Sequence, residues 1–533
     1  MSLMDLTALE MAAKVRSGEL KAEALLDASL AQIRRVDGVF GKLDQKVLQP
    51  EEEQKVHAFI SLTEELGRTA AKAVDAAVAE GRDPGPLAGV PVSVKDLFCI
   101  EGTPTTAASR MLANFLAPYT ATSVERLQAA GAVIVGKVNL DEFAYGSSSE
   151  SSAFQPHPYN PWNTEYVTGG SSGGSAAAIA AKETPLSIGT DTSGSIRQPA
   201  AFCGIVGLKP TYGRISRYGI IAFGSSLDCP GPMAANVADT ALMLQVLAGA
   251  DPRDATSSAV APQDYLALLL EDVRGMRIGL SKDFDQIAYP DLETGDLATE
   301  PIQAEVSAAV YAAAEVLARA GAEIIENVPM PNCRYAIPAY FAISRVEAAS
   351  NLHRFDGVKY GYRSPKATGG LTQLYRASRG EGFGPEPKLR ILMGMYVSAA
   401  AHASAYLERA KKVRGLIRAD FDAIYDPNGA YRLDCLLTPT TPTTAFKRKA
   451  VFGNSVLMQY ADQMVAPVNE AGLPAVSIPG GVDGQRLPIG LQLIGNDYRE
   501  DLILRAAYAF EQATAGADWR KLRPLALEAL EMK

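Results

Sequence analysis

The sequence predicts an α/β fold: one large α/β/α domain, with residues 1–86 forming N-terminal helices packed on a core built from residues 87–533. Three observations carry this. From Leu87 onward, short apolar runs alternate with helical patterns, which implies a sheet covered by helices on both faces. The first ninety residues instead space their apolar side chains as helices do. No internal repeat, low-complexity tail or linker divides the 533 residues.

Taken in order, Leu6–Val15 and Ala22–Ile33 have helical apolar spacing, and Glu64–Glu80 is alanine-rich with charges on one face. Between them Asp37–Val56, with Glu51-Glu52-Glu53, reads as a surface excursion, and Gly81–Pro86 as a loop. Val90–Val94 reads as a buried strand ending at Lys95. Thr122-Ser123-Val124-Glu125 has the form of a capping box, opening a helix that ends at Gly131, and Val133–Gly136 is the next strand. A helix follows Gly173-Gly174 to about Ala181, and a strand spans Leu186–Gly189. Gln303–Arg319 is amphipathic, with Val306, Val310, Ala313 and Leu317 on one face; Gly321 closes it and Glu323–Val328 is a strand. The acidic stretch Phe284–Pro301 reads as a loop, and the alanine-rich stretches near Ala176 and Ala399 as buried helices.

Composition narrows the function classes. Hydrophobic residues make up 47% and charged residues 21%, a globular balance. At net charge −9 the chain has no bulk affinity for phosphate backbones, so a nucleic-acid substrate would need a local basic patch or a basic partner. Cys99, Cys203, Cys229, Cys333 and Cys435 are scattered, with no C-x-x-C pair and no ligand spacing to the four histidines. That argues against a disulfide framework and a metal site, and for reduced thiols in the cytoplasm. Met1–Thr7 lacks a basic region followed by an apolar block, and no run of 18 apolar residues occurs, so neither a signal peptide nor a membrane span is expected.

The chemistry-bearing residues lie in two glycine-rich loops, Thr168-Gly169-Gly170-Ser171-Ser172-Gly173-Gly174-Ser175 and Gly189-Thr190-Asp191-Thr192-Ser193-Gly194-Ser195. Small residues around Gly194 let successive N–H groups turn inward, as an oxyanion requires. A serine hydroxyl there needs a base. No histidine lies near a glycine-rich elbow, but Lys95 ends a buried strand, where desolvation lowers an amine's pKa and leaves it able to accept a proton. A relay would then join Lys95 to Ser195, and Ser171 can supply it. Read singly, the first loop could be a flexible connection or a phosphate loop, although it lacks the lysine of the Walker pattern. Lys95 could be an ion-pair lysine, and Cys203 and Cys229 either nucleophiles or small core residues.

With Val94-Lys95-Asp96 upstream and Gly204-Ile205-Val206-Gly207-Leu208-Lys209-Pro210-Thr211 downstream, these loops resemble the amidase signature family. The resemblance implies an α/β/α sandwich around a mixed sheet and a triad of Ser195 as nucleophile, Ser171 as bridge and Lys95 as base. It also implies a cis peptide at Gly170–Ser171 and an oxyanion hole at Thr192, Ser193 and Gly194. The family's bridging serine lies 24 residues before its nucleophile, which selects Ser171 over Ser172.

Within the family, Leu140-Asp141-Glu142-Phe143-Ala144, the run Lys209–Gly219, the run Arg354–Gly361 and Thr438-Pro439-Thr440 are most similar to the glutaminase subunits of tRNA-dependent amidotransferases. That branch implies ammonia release from glutamine for amidation of Glu-tRNA(Gln) or Asp-tRNA(Asn). It implies B and C subunits in a heterotrimer, misacylated tRNA bound mainly through the partner, and ATP and Mg used by the partner subunit with no cofactor in this chain. It places Arg390 on the glutamine α-carboxylate and Asp462 on its α-ammonium, with Tyr340 and Ser147 as further contacts. This sequence departs from the branch at Ser193, where glycine is common, Tyr145 (methionine), Ser151 (asparagine) and Glu470 (leucine or methionine). These departures bear on the substrate and leave the triad intact. A free-standing amidase of small or aryl/acyl amides is the alternative; it would need neither Arg390 nor Asp462. A scaffold that has lost activity is a third reading, opposed by the intact Lys95, Ser171 and Ser195.

Overall fold

An eleven-stranded mixed sheet runs through the computed structural model, which describes residues 2–45, 47–290, 294, 297–451, 458 and 460–531. The chain opens with α1 (Ala8–Arg16) and α2 (Ala22–Val36), passes a short strand β1 (Lys42–Leu43), and joins the sheet edge with β2 (Phe59–Leu62) before α3 (Glu64–Ala79). Then come β3 (Pro91–Lys95), α4 (Thr122–Ala129), β4 (Val133–Val138), β5 (Phe154–Gln155, paired with β1), α5 (Gly173–Ala180), β6 (Leu186–Asp191), α6 (Arg197–Cys203), β7 (Val206–Lys209) and β8 (Cys229–Ala234). The middle holds α7 (Val237–Leu247), α8 (Tyr265–Leu268), β9 (Arg277–Leu280), a hairpin of β10 (Gln286–Pro290) and β11 (Leu297–Pro301), α9 (Ala304–Arg319) and β12 (Glu323–Ile325). Four helices follow: α10 (Ala336–Leu352), α11 (Leu371–Gly382), α12 (Pro385–Ser398) and α13 (Leu407–Tyr425). The chain closes with β13 (Cys435–Pro439), α14 (Ala466–Ala471), β14 (Ala475–Val482), β15 (Pro488–Gly495), α15 (Glu500–Ala513) and α16 (Leu525–Glu531).

The strand order is β12-β9-β13-β15-β14-β7-β8-β6-β3-β4-β2. Parallel pairs lie toward both ends (β12/β9/β13 and β6/β3/β4), and the centre is antiparallel, so the sheet is mixed as the resemblance implied. Both faces are buried. Along β13, Cys435 and Leu437 join one apolar cluster and Leu436 the other, the two-residue alternation of a strand between helical layers.

Five local expectations are corrected. The first ninety residues are not all helical, since β2 pairs antiparallel with β4. Asp37–Val56 is only partly a surface excursion: Asp37 is buried and accepts the N–H groups of Ala58 and Phe59, while Glu51–Glu53 lie in a short surface turn of 3-10 helix. The capping box does not form; Ala121 is the N-cap of α4, and the Thr122 hydroxyl bonds the Asp251 carboxylate instead, a long-range partner the local pattern cannot reveal. The acidic stretch Phe284–Pro301 is not a loop throughout but the β10–β11 hairpin, with residues 291–293 and 295–296 outside the described residues. The stretch near Ala176 is a buried helix, whereas Ala399–Ala401 lie exposed beyond the end of α12.

Two buried acids, Asp37 after α2 and Glu183 after α5, lie close enough to interact. Burial raises the pKa of both Asp37 and Glu183, with the Asp37 carboxylate adding to the rise at Glu183, and among the described residues neither Glu183 oxygen has a hydrogen-bond partner. In the unfolded chain both acids titrate near 4. Between there and their raised folded values the folded state keeps protons that the unfolded state releases, so stability falls as pH rises across that window. Glu183→Gln removes one of these titrations. The Tm difference between about pH 6 and pH 9 is expected to narrow by ~2 °C or more in the variant by calorimetry; an unchanged difference would contradict the assignment.

Candidate active site

The site forms at the C-terminal ends of the adjacent parallel strands β3 and β6, where open α/β sheets collect ligands. Lys95 ends β3 and Asp191 ends β6. The loop before α5 brings in Ser171 and Ser172, and the loop before α6 brings in Ser195. The two loops are joined by the Ser172 N–H, which donates to Ser195 O at 3.0 Å. The peptide Gly170–Ser171 is cis. Glycine is required at two of these positions. A Cβ on Gly170 would collide with Asp141 Oδ2, and Gly194 has φ +129° with the Val465 side chain filling the space beside it.

Lys95 is fully buried. Its Nζ lies 2.8 Å from both Ser171 Oγ and Ser172 Oγ and 2.9 Å from Thr190 Oγ1. Desolvation lowers its pKa to about 7, against the opposing pull of the Asp141, Asp191 and Asp228 carboxylates. The two serines differ in their remaining bonds. Ser172 Oγ also donates to Thr190 O at 3.2 Å, whereas among the described residues Ser171 Oγ has Lys95 alone. Among the described residues the Ser195 hydroxyl has no hydrogen-bond partner, and the residue is 6% exposed.

Asp191, which sequence reasoning did not single out, staples the nucleophile loop. Its carboxylate accepts the N–H groups of Gly194 (2.8 Å) and Ile196 (3.2 Å) and two bonds from Arg197, both 3.0 Å. Burial pushes its pKa up, but Arg197, Lys209 and Asn469 outweigh that and hold it at about 2. This corrects one expected oxyanion donor, because the Gly194 N–H is already bound to Asp191. Among the described residues the backbone N–H groups of Thr192, Ser193 and Ser195 meet no acceptor. The Thr192 side chain is fixed by its 2.6 Å bond to Asp228.

The expected substrate contacts surround this loop. Asp462 is buried, its Oδ2 held by the Ser147 hydroxyl and its Oδ1 without a partner among the described residues. A Cβ on Gly194 would stand 3.5 Å from that free oxygen, which places Asp462 directly beside the nucleophile loop. Tyr340 lies against Ser193. Arg390 is 1% exposed; among the described residues its Nε has no partner, its Nη2 lies 3.5 Å from Glu386, and its guanidinium carbon sits 5.3 Å from the Tyr145 ring centre and 5.8 Å from that of Phe223. Sequence reasoning missed Arg345, a second buried arginine, 5.3 Å from the Tyr340 ring and 4.1 Å from that of Phe341, whose pKa burial lowers to about 9. Of the departures, Ser193 and Tyr145 face this pocket. Ser151 instead bonds Asp141 and the Glu142 N–H, and Glu470 is buried on α14 with its carboxylate 3.9 Å from Arg414. The five cysteines are free and buried, and burial raises the Cys203 and Cys229 thiols. Among the described residues no His/Cys/Asp/Glu group could hold a metal, and no helix is long and apolar enough to cross a membrane.

A mixed α/β/α sheet with a buried lysine–serine cluster beside a serine on a glycine-rich turn defines the class. The chain belongs to the amidase family, whose model matches residues 48–504. It is 46% identical over 524 residues to the A subunit of the glutamyl-tRNA(Gln) amidotransferase of Carboxydothermus hydrogenoformans, covering 98% of this chain and 100% of that one. A crystal structure of the protein of the same name from Thermotoga maritima superposes with a TM-score of 0.73 at 35% identity, covering 96% of this chain and 95% of the other. A peptide amidase bound to the competitive inhibitor chymostatin has a TM-score of 0.76 at 32% identity, covering 96% and 98%.

Proposed function

We propose that this protein is the glutamine-hydrolysing component of a tRNA-dependent amidotransferase. Two buried side chains of opposite type carry the reading: Arg390, whose Nε has no partner among the described residues and whose Nη2 lies 3.5 Å from Glu386, and Asp462, whose Oδ1 is likewise unpartnered beside the Ser195 loop. A buried polar atom left unpartnered is costly, and burial pushes the Asp462 carboxyl well above the usual carboxylate range, which a bound cation would reverse. The α-carboxylate and α-ammonium of glutamine would satisfy both. The names of the near full-length relatives agree with this reading.

In the proposed mechanism the Ser195 hydroxyl attacks the side-chain amide carbon while its proton passes through Ser171 to neutral Lys95. The oxyanion accepts from the N–H groups of Thr192, Ser193 and Ser195. Lys95 returns the proton through Ser171 to the leaving nitrogen, ammonia departs, and water cleaves the acyl ester by the same relay. The ammonia serves Glu-tRNA(Gln) or Asp-tRNA(Asn) held mainly by partner subunits, which also use ATP and Mg. The five free thiols favour a reducing cytoplasm.

Arg390→Ala and Asp462→Ala should each raise KM for glutamine about 10- to 100-fold, as loss of a charged hydrogen bond does, and leave hydrolysis of a simple uncharged amide nearly unchanged. Ammonia release from glutamine and from benzamide, with and without partner subunits, ATP and misacylated tRNA, decides it. Faster turnover of benzamide, indifferent to both substitutions and to partners, would replace this reading with a free-standing amidase.

A further inference from the structure

One further polar atom of the pocket lacks a partner among the described residues: the hydroxyl of Tyr145. The residue is fully buried. It follows the short turn Glu142–Ala144, which is fixed at both ends. Glu142 accepts the Ser109 hydroxyl at 2.5 Å and the Gly384 N–H at 3.1 Å, and Asp141 accepts the Ser149 N–H at 2.9 Å. The ring stands edge-on to Phe223, centres 4.3 Å apart, under the Arg390 guanidinium. A phenol placed there for packing alone would be poorer than phenylalanine, since an unsatisfied buried hydroxyl is penalised. The hydroxyl is not lost in hydrocarbon either. Arg390, Asp228, Tyr340 and Arg345 are the charged and polar groups acting on it.

The unpartnered atoms of the pocket form a complementary set: two donors, Arg390 Nε and Tyr145 Oη, and one acceptor, Asp462 Oδ1. An α-amino acid presents the converse, a carboxylate with two acceptor oxygens and an ammonium donor. Building on the glutaminase reading, we propose that the Tyr145 hydroxyl donates a hydrogen bond to the substrate α-carboxylate beside Arg390, making Tyr145 a specificity-determining contact for amino-acid amides. Burial pushes the phenol well above its ordinary titration range, so it stays a donor wherever the enzyme works. The fixed turn means little conformational freedom is lost when the bond forms.

The test is a substrate series on the full-length chain: glutamine, glutaramic acid (carboxylate without ammonium) and 4-aminobutanamide (ammonium without carboxylate). Tyr145→Phe should raise KM for glutamine and glutaramic acid about 10-fold or more, with kcat within ~3-fold and kcat/KM for 4-aminobutanamide unchanged. Calorimetry should show no loss of Tm, because the hydroxyl bonds nothing within the chain. Equal effects on all three substrates, or none on any, would overturn the contact while leaving the glutaminase reading standing. A wild-type chain that releases no ammonia from glutamine would overturn both.

Discussion

Replacing Ser195 by alanine is expected to lower kcat for amide hydrolysis by ~10⁴-fold or more, with Tm unchanged. The two halves of that result have separate causes. The activity falls because only Ser195 stands both at the start of α6 and beside the unpartnered N–H groups of Thr192, Ser193 and Ser195 itself, where an oxyanion can be held. The fold survives because the hydroxyl makes no bond within the described residues, and the link between the loops uses the Ser195 carbonyl, which alanine retains. Quenching wild-type turnover with acid should leave an acyl ester on the peptide containing Ser195, seen by mass spectrometry. Cys203 and Cys229 should carry no label, since burial raises both thiols and keeps them protonated. Near-wild-type turnover in the alanine variant, or label on either cysteine, would end the assignment.

Much of the site is legible in the sequence because its residue types are chemically unusual where they stand. A lysine closing a run of buried apolar residues, and serines among glycines at a fixed separation, have few structural reasons to occur together, and the fold does bring Lys95 against Ser171 at 2.8 Å. Arg390, Asp462, Tyr340 and Ser147 are reached through resemblance rather than pattern, because residues hundreds of positions apart meet only through the sheet topology. The same limit explains what sequence reasoning missed. Asp191 is visible in its loop, but its role as a staple depends on Arg197, Gln492 and Asn469, which converge from α6, β15 and α14. Whether an N–H such as that of Gly194 points at a carboxylate or into the pocket is a matter of loop dihedrals, which composition does not encode. The strand β2 is hidden because Phe59–Leu62 is four residues long, too short for its periodicity to stand out beside the flanking helices.

Lys95→Ala is expected to cost ~10³-fold or more in kcat, and Lys95→Ala combined with Ser171→Ala little more than either change alone, as for residues that act as one relay. The pH profile distinguishes a base from a structural cation. With its pKa brought to about 7 by desolvation, the Lys95 amine is protonated below that value and neutral above it. Only the neutral form accepts the proton, so kcat/KM should fall about tenfold per unit below pH ~7 and level off above it. Lys95→Arg preserves the positive charge, but a guanidinium cannot deprotonate in the working range. The arginine variant should therefore be inactive at every pH at which the chain stays folded. A structural cation would give the opposite pattern: activity largely retained in the arginine variant, and no acid limb near 7. A limb still rising to pH ~10 would mean that Lys95 keeps an ordinary lysine pKa. In that case desolvation would not have lowered the Lys95 amine, and only its small neutral fraction near pH 7 would take the Ser195 proton.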